Sequence, residues 1–156
     1  MSGGAPGQFS SVLIEHVLRT GRLREHIHEL LIPTYQVRSE VMRKAVNQVL
    51  SPLGVRIITE SKDKEAGSIF GGFFLFILLP VGLKADDVAA IALEEYNLQI
   101  LSGLNMTVNR SKSPPPFVER GMRLCWAWEE EEQIRDGIDR LKTVLTSRFG
   151  ISYTEI

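Results

Sequence analysis

An α+β fold is predicted for this chain: N-terminal helices, then a small mixed or antiparallel sheet of about four strands with two helices packed on it. Three observations predict it. Apolar residues recur at helical spacing through the first fifty positions, with no strand-like alternation among them. From Val55 onward, short runs rich in β-branched and aromatic residues alternate with amphipathic stretches. The longest apolar run, Ile69 to Pro80, covers 12 residues. A membrane helix needs about 20, so this run reads as a buried strand.

The elements follow in order. Val12, Leu13, Val17, Leu18, Leu23, Ile27, Leu30 and Leu31 mark helical faces that Thr20-Gly21 interrupts. Pro33 opens the next helix, because proline is tolerated in a first turn but not deeper. That helix runs to Leu50 and stops at Ser51-Pro52-Leu53-Gly54. Val55 to Glu60 (VRIITE) is the first strand, and the charged SKDKEAG after it a solvent loop. Gly72 to Leu79 is continuously apolar, which predicts a central strand covered on both faces. Lys84 to Tyr96 is a helix with Asp86 and Asp87 at its positive end. Leu98 to Leu101 is a short strand, and Ser102 to Gly121, with its three prolines, a long loop. Met122 to Trp128 is the last strand. The last helix spans about Glu129 to Arg148, with Ile134, Ile138, Leu141 and Leu145 as its buried stripe.

Composition narrows the function. The 156 residues fit one ordinary domain with a real core, at 44% hydrophobic and 24% charged. Eighteen basic against nineteen acidic side chains leave a charge of −1, without the basic excess of a nucleic-acid binder. Cys125 is the single cysteine, so no internal disulfide and no cysteine metal cluster can form. The N-terminal MSGGAPGQFSS has neither the basic nor the apolar region of a secretory signal. A cytoplasmic protein without membrane attachment is expected.

Candidate chemistry is sparse. His26 and His28 lie about 200° apart around a helix axis, and His16 has no i, i+4 partner, so the histidines do not converge on a metal. Cys125, in an apolar strand without a neighbouring histidine, reads as a small core residue. Glu129 to Glu132 sit at a helix start, where the dipole accounts for them. Gly3-Gly4 and Gly71-Gly72 lack the spacing of phosphate loops. Arg123 stands out: a fixed positive charge between Met122 and Leu124 in an otherwise apolar strand. It is either a solvent-face or ion-paired arginine, or a guanidinium set to grip a carboxylate with two hydrogen bonds.

Several stretches, in order along nearly the whole chain, resemble class I/II aminotransferases, the fold-type-I pyridoxal-phosphate enzymes. Gly71-Gly72-Phe73-Phe74-Leu75-Phe76 through Leu79-Pro80 resembles that family's "GG-aromatic-Phe-x-aromatic…LP" strand. Asp87 to Leu101, ending near Gly103, resembles the following helix and strand. Arg123-Leu124-Cys125-Trp126-Ala127 resembles "RLSFA", and Gly137, Ile138 and Leu141 resemble "EGIRRL". SGGAPGQFSSVLIEHVLRTGRLREHI and YQVRSEVM resemble the connecting helices. The similarity is to the C-terminal part of such enzymes, in the aminoadipate, kynurenine and aromatic transaminase-like branch.

The resemblance implies that residues 1–50 are helices joining a large domain, and that 51–156 are the small domain. It implies that Arg123 binds the substrate α-carboxylate, orienting the amine toward pyridoxal 5′-phosphate. It also implies that the Schiff-base lysine, the phosphate-binding arginine and the aspartate facing the pyridine nitrogen lie in a large domain. None of Lys44, Lys62, Lys64, Lys84, Lys112 and Lys142 has the small-residue context of the cofactor lysine. No catalytic or cofactor-binding residue is therefore expected within the chain, which is expected not to be catalytically complete alone. The partners implied are an amino-acid or 2-oxo-acid carboxylate, and either a second copy or a large-domain chain. A non-catalytic module that binds a carboxylate or a protein is the alternative.

Overall fold

The computed structural model describes residues 7–58, 61–63, 67–69, 72–107 and 115–153. The chain divides into two compact units, Met1–Val37 and Arg38–Ile156.

In the first unit, α1 (Gln8–Arg19) ends at Thr20, whose Oγ1 donates to the His16 carbonyl at 2.8 Å. α2 (Arg22–His26) follows directly, and Ile27–Leu31 form a π-helical turn. The expected interruption at Thr20-Gly21 is present. The expected fresh start at Pro33 is not. Pro33 is the second residue of α3 (Ile32–Ala45), which continues from the π turn without a break and carries the boundary between the units. The ladder has already widened there, the Ile32 N–H donating to the Ile27 carbonyl, so the helix passes a residue that has no N–H. No described side chain of residues 7–37 is buried, and Phe9, Val12, Leu13, Ile14 and Leu18 are all exposed.

The second unit holds the core. The end of α3 runs through a π turn, Val46–Leu50, into a 3-10 turn, Ser51–Leu53. Val46, Leu50 and Leu53 are buried there. Six short strands follow in the chain: β1 (Arg56–Ile57), β2 (Ser61–Asp63), β3 (Gly67–Ile69), β4 (Phe74–Leu78), β5 (Leu101–Ser102) and β6 (Gly121–Cys125). Four of them form one antiparallel sheet in the order β1-β4-β6-β5. Helices α4 (Ala85–Tyr96) and α6 (Glu131–Phe149) pack on it, and the short α5 (Pro116–Glu119) precedes β6. The α+β fold of helices followed by a four-stranded sheet is therefore as expected, and the sheet is antiparallel rather than mixed.

Period-two alternation explains the layering. Leu75, Ile77, Met122 and Leu124 share the buried face of β4 and β6. Val88 and Ala92 of α4, with Ile134, Ile138, Leu141, Val144 and Leu145 of α6, complete that core. Arg140 Nη1 donates to the Tyr96 carbonyl at 3.1 Å, tying α6 to the end of α4. Arg148 Nε donates to Glu95 Oε2 at 2.7 Å, and that hydrogen bond raises the guanidinium above its ordinary range. The last carbonyls of α4 and α6 are met by left-handed residues, Asn97 and Gly150.

Several expected elements differ. β4 is central, and its two faces differ among the described residues: Leu75 and Ile77 are buried on one, while on the other Phe74 is 40% exposed, Phe76 half-buried and only Leu78 buried. Its apolar run thus reflects one fully buried face and one that opens toward Phe74, which composition cannot tell apart. The segment SKDKEAG, expected as a solvent loop, contributes β2 and the first residue of β3, paired through Lys62 and Ser68, because backbone pairing tolerates charged side chains. Of VRIITE, Arg56 and Ile57 form β1 and the Ile58 N–H donates to the Phe76 carbonyl at 2.9 Å, while 59–60 lie outside the described residues. The third expected strand shifts to Leu101–Ser102. The long loop contains a 3-10 turn, Gly103–Met106, and α5, with 108–114 outside the described residues. β6 ends at Cys125 rather than Trp128, and α6 begins at Glu131.

Candidate functional site

Arg123 is the middle residue of β6, directly opposite Phe76 on one side and Leu101 on the other. Its side chain therefore belongs to the open face of the sheet, with Phe74, Phe76 and Cys125. The guanidinium carbon lies 4.1 Å from the centroid of the Phe74 ring. Phe74 is a diagonal neighbour of Arg123 across the ladder, within reach of a long side chain. Phe76 leans the other way, toward Gly121. A Cβ at Gly121 would run into the Phe76 ring and sit 3.0 Å from the Phe117 carbonyl oxygen. Two diagonals thus run in the same sense across one ladder, and the missing side chain of Gly121 makes room for the Phe76 ring.

Arg123 lines a groove of about 610 Å³. Leu93, Gln99 and Leu101 line it alongside Trp128, Gln133 and Ile134. Arg140 is the other arginine on its wall, and that guanidinium is engaged by Asp136 and by the Tyr96 carbonyl. Arg123, half-buried, forms no ion pair with Glu119, Glu129 or any other carboxylate among the described residues. A cation held by a ring face keeps its N–H edge available, which is the geometry a bidentate carboxylate contact requires.

The turn after β6 closes the groove. Trp126 is buried and its backbone N–H donates to the Phe73 carbonyl at 3.2 Å. Its Nε1 has no hydrogen-bond partner among the described residues. Two residues on, Trp128 is 88% exposed and lines the groove. Cys125, expected in the core, is exposed on the same face as Arg123. The alternation of β6 places it opposite Phe74, on the side the helices leave open.

The other candidates stand apart. His16 lies on α1, His26 at the end of α2 and His28 in the π turn. Among the described residues no group of three His, Cys, Asp or Glu side chains could hold a metal ion. Glu131 and Glu132 occupy the first turn of α6, in keeping with the helix dipole. The SGGAP segment lies outside the described residues. Arg38 escaped the sequence reading. Its Nη1 donates to the Ala127 carbonyl at 3.0 Å and its Nη2 pairs with Glu130, a contact spanning 92 positions that no local pattern signals.

No family model matches the chain. A Saccharomyces cerevisiae protein, the uncharacterized YER152C, is 29% identical over 147 residues, 94% of this chain and 30% of its own length. The multiple substrate aminotransferase of Thermococcus profundus superposes with a TM-score of 0.66 at 25% identity, over 86% of this chain and 29% of that one. The chain carries part of an aminotransferase fold. A second match is LysN, the α-aminoadipate aminotransferase of Thermus thermophilus, solved in complex with N-(5'-phosphopyridoxyl)-L-leucine. It superposes with a TM-score of 0.64 at 24% identity, over 90% of this chain and 31% of that one. The chain thus spans about 30% of the length of the proteins it matches.

Pyridoxal phosphate attaches to aminotransferases through a lysine amine. Among the described residues no lysine lines the Arg123 groove. Lys44 and Lys84 are exposed, and the Lys142 amine sits 5.9 Å over the Tyr153 ring. The described residues of this groove therefore do not fit the cofactor, and its chemistry is not assigned to them. No described helix is long and apolar enough to cross a membrane.

Proposed function

We propose that this aminotransferase-like chain takes part in moving an amino group between an amino acid and a 2-oxo acid, and that Arg123 grips the substrate carboxylate. The observation that carries this reading is a guanidinium with no ion pair among the described residues, 4.1 Å from the centroid of the Phe74 ring, on a residue lining a groove whose other arginine is already engaged. A guanidinium that serves only the fold is ordinarily matched to a carboxylate or a carbonyl, as Arg120, Arg140 and Arg148 are here. Likeness to aminotransferases supports the assignment.

In this reading the chain binds and orients. A bidentate contact fixes one end of the substrate and confines its reacting amine to a small arc. Pyridoxal 5′-phosphate, the cofactor implied by the aminotransferase likeness, supplies the electron sink when bound. The amine that attaches it comes from outside the Arg123 groove, from a large domain or partner chain beside residues 1–50 as connecting helices and 51–156 as the small domain. A cytoplasmic setting follows from this reading. The test is Arg123→Leu in the protein assembled with its cofactor-binding portion. Transamination and carboxylate binding should fall at least about tenfold with the thermal midpoint nearly unchanged, since a charged hydrogen-bond pair contributes about 1.5–3 kcal/mol. Loss of folding with no selective loss of binding would reject the assignment.

A further inference from the structure

We propose that Arg38 is a positioning residue for the carboxylate groove, holding its rim through the turn that follows β6. This rests on the Arg123 reading above. Only 13% of the Arg38 side chain is exposed, although it carries a fixed charge. Its fork is spent entirely on one turn, with Nη1 on the Ala127 carbonyl at 3.0 Å and Nη2 on the Glu130 carboxylate. Glu130 flanks the start of α6, and its carbonyl accepts from the Ile134 N–H at 3.0 Å. On the other side, the Trp126 N–H is fixed to the Phe73 carbonyl. Residues 126–130 are therefore pinned near both ends, with Trp128 and Glu129 between the pins.

Those two residues line the groove with Arg123, which lies two positions before the exposed Cys125 on the strand feeding the turn. Without Arg38 the turn keeps its strand-side pin but loses the two contacts nearest its tip. A planar fork that binds a carbonyl and a carboxylate at once sets the orientation of the turn, which a single-point ammonium cannot. Arg38 belongs to α3, so that helix reaches the groove rim through its guanidinium.

The experiment uses the purified protein with phenylacetate as a monocarboxylate probe, comparing Arg38→Met, Arg38→Lys, Glu130→Gln and Arg123→Leu. Two quantities are read: phenylacetate affinity, and the anisotropy decay of the iodide-quenchable tryptophan emission. Trp126 is buried, so that emission belongs to Trp128. Arg38→Met should weaken phenylacetate binding roughly ten- to hundredfold, the scale of a misplaced binding wall, and enlarge the fast component of the decay. Arg38→Lys should restore part of both, and Glu130→Gln, altered at an exposed carboxylate, should reproduce a smaller share of each. Should Arg38→Met fail to fold, Arg38→Lys and Glu130→Gln carry the same test. Unchanged Trp128 motion and unchanged affinity in the folded variants overturn the proposal. An Arg123→Leu protein that binds phenylacetate normally defeats the carboxylate reading instead, while the Trp128 decay still decides whether Arg38 holds the turn.

Discussion

The Arg123 guanidinium lies 4.1 Å from the centre of the Phe74 ring, a diagonal contact across the β4–β6 ladder on the open face of the sheet. The ring face attracts the cation without using its N–H groups, so orientation is gained and donors are kept. Phe74→Leu keeps an apolar platform and removes the quadrupole. Carboxylate affinity is expected to drop about two- to fivefold, the equivalent of about 0.5–1 kcal/mol for an exposed cation–π pair. The thermal midpoint should barely move, because Phe74 is already 40% exposed. Titration with a monocarboxylate and a parallel melting curve separate the two effects.

Arg123→Lys tests the fork rather than the charge. An ammonium can attract a carboxylate but cannot bind both of its oxygens in one plane. Affinity should lie between that of the parent and that of Arg123→Leu, with steeper loss on adding salt as the contact becomes a screened point-charge interaction. Equal affinity for Lys and Arg would mean that no bidentate contact forms.

Incubation of the 156-residue chain with pyridoxal phosphate, followed by borohydride reduction and peptide mapping, should label no single lysine stoichiometrically. The exposed Lys44 and Lys84 should react only as ordinary surface amines do. One fully labelled position would show that the chain itself provides the aldimine lysine.

Helix α1 has no buried residue, yet carries Phe9, Val12, Leu13, Ile14, Val17 and Leu18. Apolar patches of this kind mark association surfaces or aggregation. Concentration-dependent sedimentation is expected, and replacing Leu13 and Val17 with glutamate should reduce it. A cooperative monomer at high concentration would count against a partner for this face.

Legibility followed the range of the interactions. The stripe of α6 and the central place of β4 rest on local periodicity and could be read directly. Arg123 was visible because a charge interrupts an apolar run. What stayed hidden depends on which face is covered: Cys125 and Phe74 sit in apolar sequence but on the face the helices leave open. Arg38 was hidden because both of its partners lie about ninety positions away (separations of 89 and 92). The β2–β3 pair is hidden in the sequence because its charged residues carry no apolar alternation and its pairing is made by the backbone.

The strongest link between packing and site runs through Gly121. It lies two residues before Arg123 on the same face, and the Phe76 ring occupies the space a side chain would fill. Gly121→Ala forces that ring away, and Arg123 is the residue directly opposite Phe76. Overpacking of this kind costs about 1–3 kcal/mol, so a clear fall in the unfolding midpoint is expected. Carboxylate affinity should fall too, because the displaced ring crowds Arg123 off Phe74. Phe76→Leu in the same background should restore part of both, since leucine can vacate the space. A double-mutant cycle on stability and affinity measures the coupling, expected at about 0.5–3 kcal/mol for residues in contact. If the two changes prove additive in both measures, the glycine does not act through Phe76, and its influence on Arg123 is rejected.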